Sequence, residues 1–137
     1  MDENNINLNI NTGTIEFIIS RAHEFHAKKG VTFPDDTSAS KYESDPLQIL
    51  ADYKDDLTFR EIKQIIEGLD AEQKIELLAL MYIGRGDYNA NEWKTARQEA
   101  SHHLQPHLAE YLISKPQLAE YLEQGLESLG YPLSTLV

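Results

Sequence analysis

The sequence predicts an all-α fold: a compact bundle of six to seven short helices around a central apolar helix at about residues 71–84, with an extended N-terminal arm. Three observations carry that expectation. From Thr14 onward apolar residues recur at helical spacing, and three capping boxes punctuate the middle of the chain. Nowhere do strand and helix patterns alternate as a parallel sheet requires. A chain of 137 residues is expected to form one domain over residues 1–137. That length buries roughly two thirds of the surface its unfolded form exposes. Cysteine is absent, which excludes disulfides, thiolate metal sites and thiol nucleophiles together and favours a reducing, cytoplasmic setting.

The elements follow in order. Ile6, Leu8 and Ile10 alternate with asparagines, so residues 1–11 are expected to form an extended arm with one side on the body. From Thr14 the period changes to Ile15, Ile18, Ile19 and Ala22, a first helix that Lys28, Lys29 and Gly30 stop. Residues 31–44 have no periodicity and many turn formers, and are expected to form a flexible acidic loop, mobile or functional. Asp45-Pro46-Leu47-Gln48 reads as the start of a second helix running to about Lys54, and Thr58-Phe59-Arg60-Glu61 as a capping box opening a third on Ile62, Ile65, Ile66 and Leu69. Asp70-Ala71-Glu72-Gln73 is another capping box. It opens the fourth helix, whose stretch from Ile75 to Ile83 is apolar almost all round and therefore expected to be the buried hub.

Gly84-Arg85-Gly86-Asp87 is expected to end that helix, and Asn89 with Glu92 to cap a fifth on the stripe Trp93, Ala96, Ala100, Leu104. Two closing helices come from a short repeat. Pro106-His-Leu-Ala-Glu-Tyr-Leu recurs ten residues later as Pro116-Gln-Leu-Ala-Glu-Tyr-Leu, each proline suited to a first helical turn. Ten residues is too short for a solenoid, so both copies are expected to face the same core.

Charge bounds the partners. Twelve basic and 23 acidic residues leave a net charge of −11, which repels nucleic acid and anionic lipid. Between Gly30 and Asp56 seven carboxylates face two lysines, a solvated face or a docking surface for a basic partner. The first residues, Met1-Asp2-Glu3-Asn4-Asn5, are acidic and amidic where a secretory signal would be basic, and no apolar run reaches the ~20 residues of a bilayer span.

Catalytic signatures are weak. Glu99-Ala-Ser-His102 has the Glu-x-x-His form of di-iron bundles but occurs once, and Pro106 disfavours a helical register between His103 and His107. With His23 and His26 these side chains are better read as surface or helix-end histidines than as a metal site. Asp87-x-Asn89-x-Asn91 begins like a calcium loop, yet Glu92 stands where glycine is required and Gln98 where glutamate is. Arg85-Gly86-Asp87 spells an adhesion tripeptide but reads better as a helix stop. No nucleophile elbow or phosphate loop occurs. No catalytic residue, metal ligand or cofactor is therefore assigned.

One segment stands out. The turn at residues 84–97 presents Arg85, Asp87, Tyr88, Trp93 and Arg97, the residue types of binding hot spots, with Trp93 and Arg97 placed to stack at i,i+4. The competing structural reading has Trp93 in the core and Arg85 paired with Asp87 to brace the turn.

The run Leu80-Met81-Tyr82-Ile83-Gly84-Arg85-Gly86-Asp87, then Trp93, then Tyr111-Leu-Ile-Ser-Lys-Pro-Gln-Leu-Ala-Glu-Tyr-Leu-Glu-Gln-Gly-Leu126 and Gly130, resembles the bacterial family DUF3775. The opening helix Ile18-Ile19-Ser20-Arg21-Ala22-His23-Glu24-Phe25 suits it too, and the likeness extends over about residues 8–131. It implies a bacterial, intracellular, stand-alone domain and brings no activity, ligand or catalytic residue. The expected function is a small non-catalytic protein-interaction or regulatory module, engaging a protein partner or a second copy. The alternative is a small-ligand or metal-binding protein, possibly an enzyme, using the 84–97 turn and the nearby histidines.

Overall fold

The structure is a computed structural model that describes residues 7–29 and 46–131. Within them seven α-helices pack together and no strand occurs: α1 Thr12–Lys29, α2 Pro46–Tyr53, α3 Leu57–Glu67, α4 Ala71–Arg85, α5 Trp93–Ser101, α6 Leu108–Ile113 and α7 Leu118–Ser128. A 3-10 turn, Ala90–Glu92, leads into α5. The all-α bundle is as the sequence led us to expect. None of these helices is long and apolar enough to cross a membrane.

The hub is α4. Its residues from Glu76 to Ile83 are all buried, and helix-period apolarity on every side leaves it no solvent face. Its N-terminus is fixed by the expected capping box, in which the Asp70 carboxylate accepts the Gln73 N–H at 2.8 Å and the Gln73 amide accepts the Asp70 N–H at 3.0 Å. At the other end Gly86 adopts φ 94°, and its N–H and that of Asp87 turn back to Ile83 and Tyr82. That left-handed turn satisfies carbonyls a straight helix would leave open.

Gly84 has a different role from the helix stop expected of it. It lies inside α4, and a Cβ there would stand 2.5 Å from the carbonyl carbon of Tyr121 on α7 and closer still to its oxygen. Gly125 of α7 meets the Leu80 backbone in the same way, its Cβ falling 3.2 Å from that carbonyl carbon. Reciprocal glycines let these two helices approach backbone to backbone, and this is the most intimate pairing in the bundle.

Other elements dress this pair. α5 packs on α4 through Trp93, Ala96 and Ala100, and Trp93 is 9 % exposed, within the core. α1 buries Ile15, Ile18, Ile19, Ala22 and Phe25 against α3 and α7, and Phe25 sits edge-on to Tyr53 with ring centroids 5.2 Å apart. The first helix begins at Thr12, two residues earlier than its apolar stripe suggests, because the Asn11 side chain accepts the Gly13 N–H at 2.6 Å. A similar correction applies to α3. Asp56 rather than Thr58 is its cap, accepting the Phe59 N–H at 2.9 Å, and Thr58 is buried inside the helix.

Two buried carboxylates tie the periphery down. Residues 7–11 precede α1 outside regular secondary structure; their backbone is anchored where Glu76 accepts the N–H groups of Asn9 and Ile10, both at 2.9 Å. The same carboxylate accepts the Asn9 side-chain amide at 3.1 Å. Glu110 of α6, with no exposed side-chain surface, accepts from Lys63 of α3 at 2.6 Å. Burial opposes the charge of that ammonium, but its hydrogen bonds to Glu110 and Glu67 outweigh the effect and raise its pKa. Residues 1–6 of the expected arm and the whole of the expected 31–44 loop lie outside the described residues.

Candidate functional site

The C-terminal end of α4 does more than stop a helix. Its last two turns carry Tyr82 and Arg85 to the surface rim, and the left-handed Gly86 throws Asp87 and Tyr88 back beside them. Glu99 near the end of α5, His103 and Gln105 in the connection after it, and Tyr111 of α6 close the other side. Together these residues line an open cleft of about 500 Å³.

Its charges are paired internally. The Arg85 guanidinium donates from Nε to Asp87 Oδ2 at 2.9 Å, with Nη2 at 2.7 Å from the same oxygen, and its Cζ lies 5.6 Å from the Tyr82 ring centroid. Burial works against the guanidinium charge, but Asp87 and then Tyr111 support it more strongly and raise its pKa. Across the cleft His103 Nε2 stands 2.8 Å from Glu99 Oε2. The rings are arranged as a wall: Tyr82 and Tyr88 centroids are 6.1 Å apart and tilted by 49°. Tyr82 is 7 % exposed, and burial, with the neighbouring Tyr111 phenol second, pushes its pKa up to about 12. It stays a neutral donor and acceptor throughout the physiological range.

Of the five residues singled out in the sequence, Arg85, Asp87 and Tyr88 line this cleft. Trp93 sits in the hydrophobic core beneath α5. Arg97 does not stack on it. Its guanidinium turns to pair with Glu72 of α4, in a separate cavity of about 330 Å³ that also takes in Lys94, Gln98 and Ser101. The pairing of Arg85 with Asp87 was legible because two residues around a glycine turn meet locally. Tyr82, Gln105 and Tyr111 were not singled out, while Glu99 and His103 were considered only as part of a metal-ligating pattern and not as neighbours of the turn. Tyr82 hid within the apolar run of the hub, and the others come from positions 99–111, which only tertiary packing brings to the turn.

The histidines separate. His23 meets Glu123 at 3.0 Å, while His26 donates from Nε2 to the Ile113 carbonyl at 2.9 Å. His107 lies 3.9 Å from Glu110, and His102 is exposed at the end of α5. Among the described residues no three or more histidine and carboxylate side chains gather as a metal ion would need. Chemically the cleft offers aromatic faces, a braced guanidinium, two carboxylates, an imidazole and an amide.

No curated protein and no solved structure matches the chain. The family model of DUF3775, described as a protein of unknown function, matches residues 59–131. The match is shorter than the 8–131 likeness read from the sequence and leaves α1 and α2 outside it. It does contain the hub, the Gly84 and Gly125 contact, and every residue lining the cleft. The chain belongs to the DUF3775 family.

Proposed function

We propose that this chain is a non-catalytic, cytoplasmic interaction module that receives a segment of a partner protein, or of a second copy, in the cleft at the end of α4. One observation carries the reading. Tyr82, Tyr88, Tyr111 and Arg85, from two helices and a turn, line one concavity at the edge of the core. Tyrosine and arginine in a partly desolvated pocket are the composition of interface hot spots, because each combines a large contact area with a polar handle. The charged and polar groups in the cleft are held in place by pairing, Arg85 with Asp87 and His103 with Glu99, which presents a preformed surface for recognition. The charge of −11 makes nucleic acid an unfavourable partner.

The test is a selection of displayed peptides on the full chain, followed by mapping the best binder through backbone amide shifts. Shifts confined to residues 82–88, 99–105 and 111, lost in Arg85→Ala and Tyr111→Ala, are the expected result. Saturable binding that leaves those amides unmoved would count against the cleft.

A second reading, a small-ligand protein, is favoured by the cleft's volume, which falls within the ~300–1,000 Å³ of small-molecule sites, and by the imidazole on its rim. Thermal-shift screening against metals and metabolites separates the two. A ligand at 100 times its dissociation constant stabilises by about 2.7 kcal/mol.

A further inference from the structure

We infer that the segment received in the cleft is cationic: a lysine or arginine side chain of a basic partner, seated on the Tyr88 ring and drawn in by Glu99 and the acidic chain around the cleft. The inference rests on the cleft being a docking site, as proposed above, and adds the chemistry of what docks there.

Charge complementarity carries it. Among the residues lining the cleft the formal charges are one guanidinium against two carboxylates, and Arg85 is neutralised at 2.7 Å by Asp87. Glu99 keeps an accessible carboxylate, its side chain 46 % exposed. Around the cleft lies a chain of net charge −11, whose field speeds the approach of a cation and repels an acidic segment.

The aromatic wall supplies the second half of the argument. Two of its three rings already hold a cation: Arg85 lies over Tyr82, and Lys115, itself 8 % exposed, stands 4.4 Å from the Tyr111 centroid. Ring faces here are thus placed for cations, which the quadrupole of an aromatic ring attracts. Among the described residues Tyr88 is the wall ring with no cation upon it. It is partly exposed, adjoins Asp87 in sequence, and is braced from behind by Tyr82 at 6.1 Å. An incoming ammonium or guanidinium therefore finds a ring without a cation in the same cleft as the accessible Glu99 carboxylate.

The experiment titrates three end-blocked decapeptides of identical length into the full chain: one rich in lysine, one with glutamine at those positions, one with glutamate. Amide shifts report the site and the affinity. The lysine peptide is expected to saturate shifts at residues 82–88 and 99–105, and to weaken as salt shortens the ~8 Å screening length of physiological buffer. Tyr88→Ala and Glu99→Gln should each weaken it by about tenfold, the scale of one well-placed cation contact. Tyr88→Phe keeps the ring face and should bind as the native chain does. Equal binding of the glutamine or glutamate peptide at the same amides would overturn the cationic assignment while leaving the cleft as a docking site. Lysine-peptide shifts scattered over acidic surface without saturation would overturn it also. Silence of the cleft amides toward all three peptides would overturn both readings.

Discussion

Replacing Gly84 by alanine adds a single methyl group at the closest approach of α4 and α7. Helix propensity alone favours the change, since glycine in a helix interior is less stable than alanine by about 0.5–1 kcal/mol. The structure reverses the sign. The new Cβ would lie 2.5 Å from the Tyr121 carbonyl carbon and nearer to its oxygen, whereas an ordinary contact needs well over 3 Å. Both obstacles are backbone atoms, so no rotamer change relieves them, and the two central helices must separate. Overpacking typically costs about 1–3 kcal/mol and more where the surroundings cannot yield. The net expectation is a loss of at least about 2 kcal/mol, with a fall of several degrees in Tm. Urea unfolding of Gly84→Ala against the native chain measures it directly, with the m value checking that the unfolded state is unchanged. An alanine variant as stable as the native chain, or stabilised by the propensity gain, would refute the backbone contact between α4 and α7.

Three further outcomes follow from buried side chains. Trp93→Ala removes an indole that is 9 % exposed and should cost about 3–5 kcal/mol in chemical unfolding, whereas a loss below about 1 kcal/mol would place the ring at the surface. Lys63→Met strands the fully buried Glu110 carboxylate and should cost about 2–3 kcal/mol, less than the full value for a buried pair because Lys63 is 28 % exposed. The double variant Lys63→Met, Glu110→Met should recover much of that loss, and a single variant within 0.5 kcal/mol of native, roughly the scatter of surface changes, would contradict the pairing. His26 has its pKa lowered, chiefly by burial, so its folded form favours the neutral ring. Its contribution is complete above the unfolded value of ~6.5 and is lost as pH falls toward the depressed folded value. Unfolding free energy should therefore drop below about pH 6.5, and His26→Gln, which keeps a donor for the Ile113 carbonyl, should drop less over the same range. Parallel pH curves for the two proteins would contradict this assignment.

The sequence spoke most clearly where structure is local. The apolar run from Ile75 to Ile83 and the Asp70–Gln73 box specify a buried helix and its start without reference to anything distant, and both are found. The cap of α3 shows the limit of that reasoning. Asp56 and Thr58 are both good caps two residues apart, and the choice went to Asp56 because Thr58 is buried along with Phe59. Gly84 shows a stronger limit: a glycine beside Gly86 looks like part of one turn until a second helix is known to cross there. The cleft divides along the same line. Its Arg85–Asp87 brace spans two residues and could be anticipated, while Tyr111, Glu99 and His103 are brought to the turn by tertiary packing that no single-chain periodicity encodes.

Native-state amide hydrogen exchange at Leu77 to Met81 bears most directly on the placement of α4 as the hub on which the cleft is built. If every face of this helix is held by neighbours, those amides open only when the whole protein unfolds, and their opening free energy equals the global value from denaturant unfolding. Exchange there by a cheaper local opening, while α1 or α3 stays protected, would show that the bundle is organised around something else.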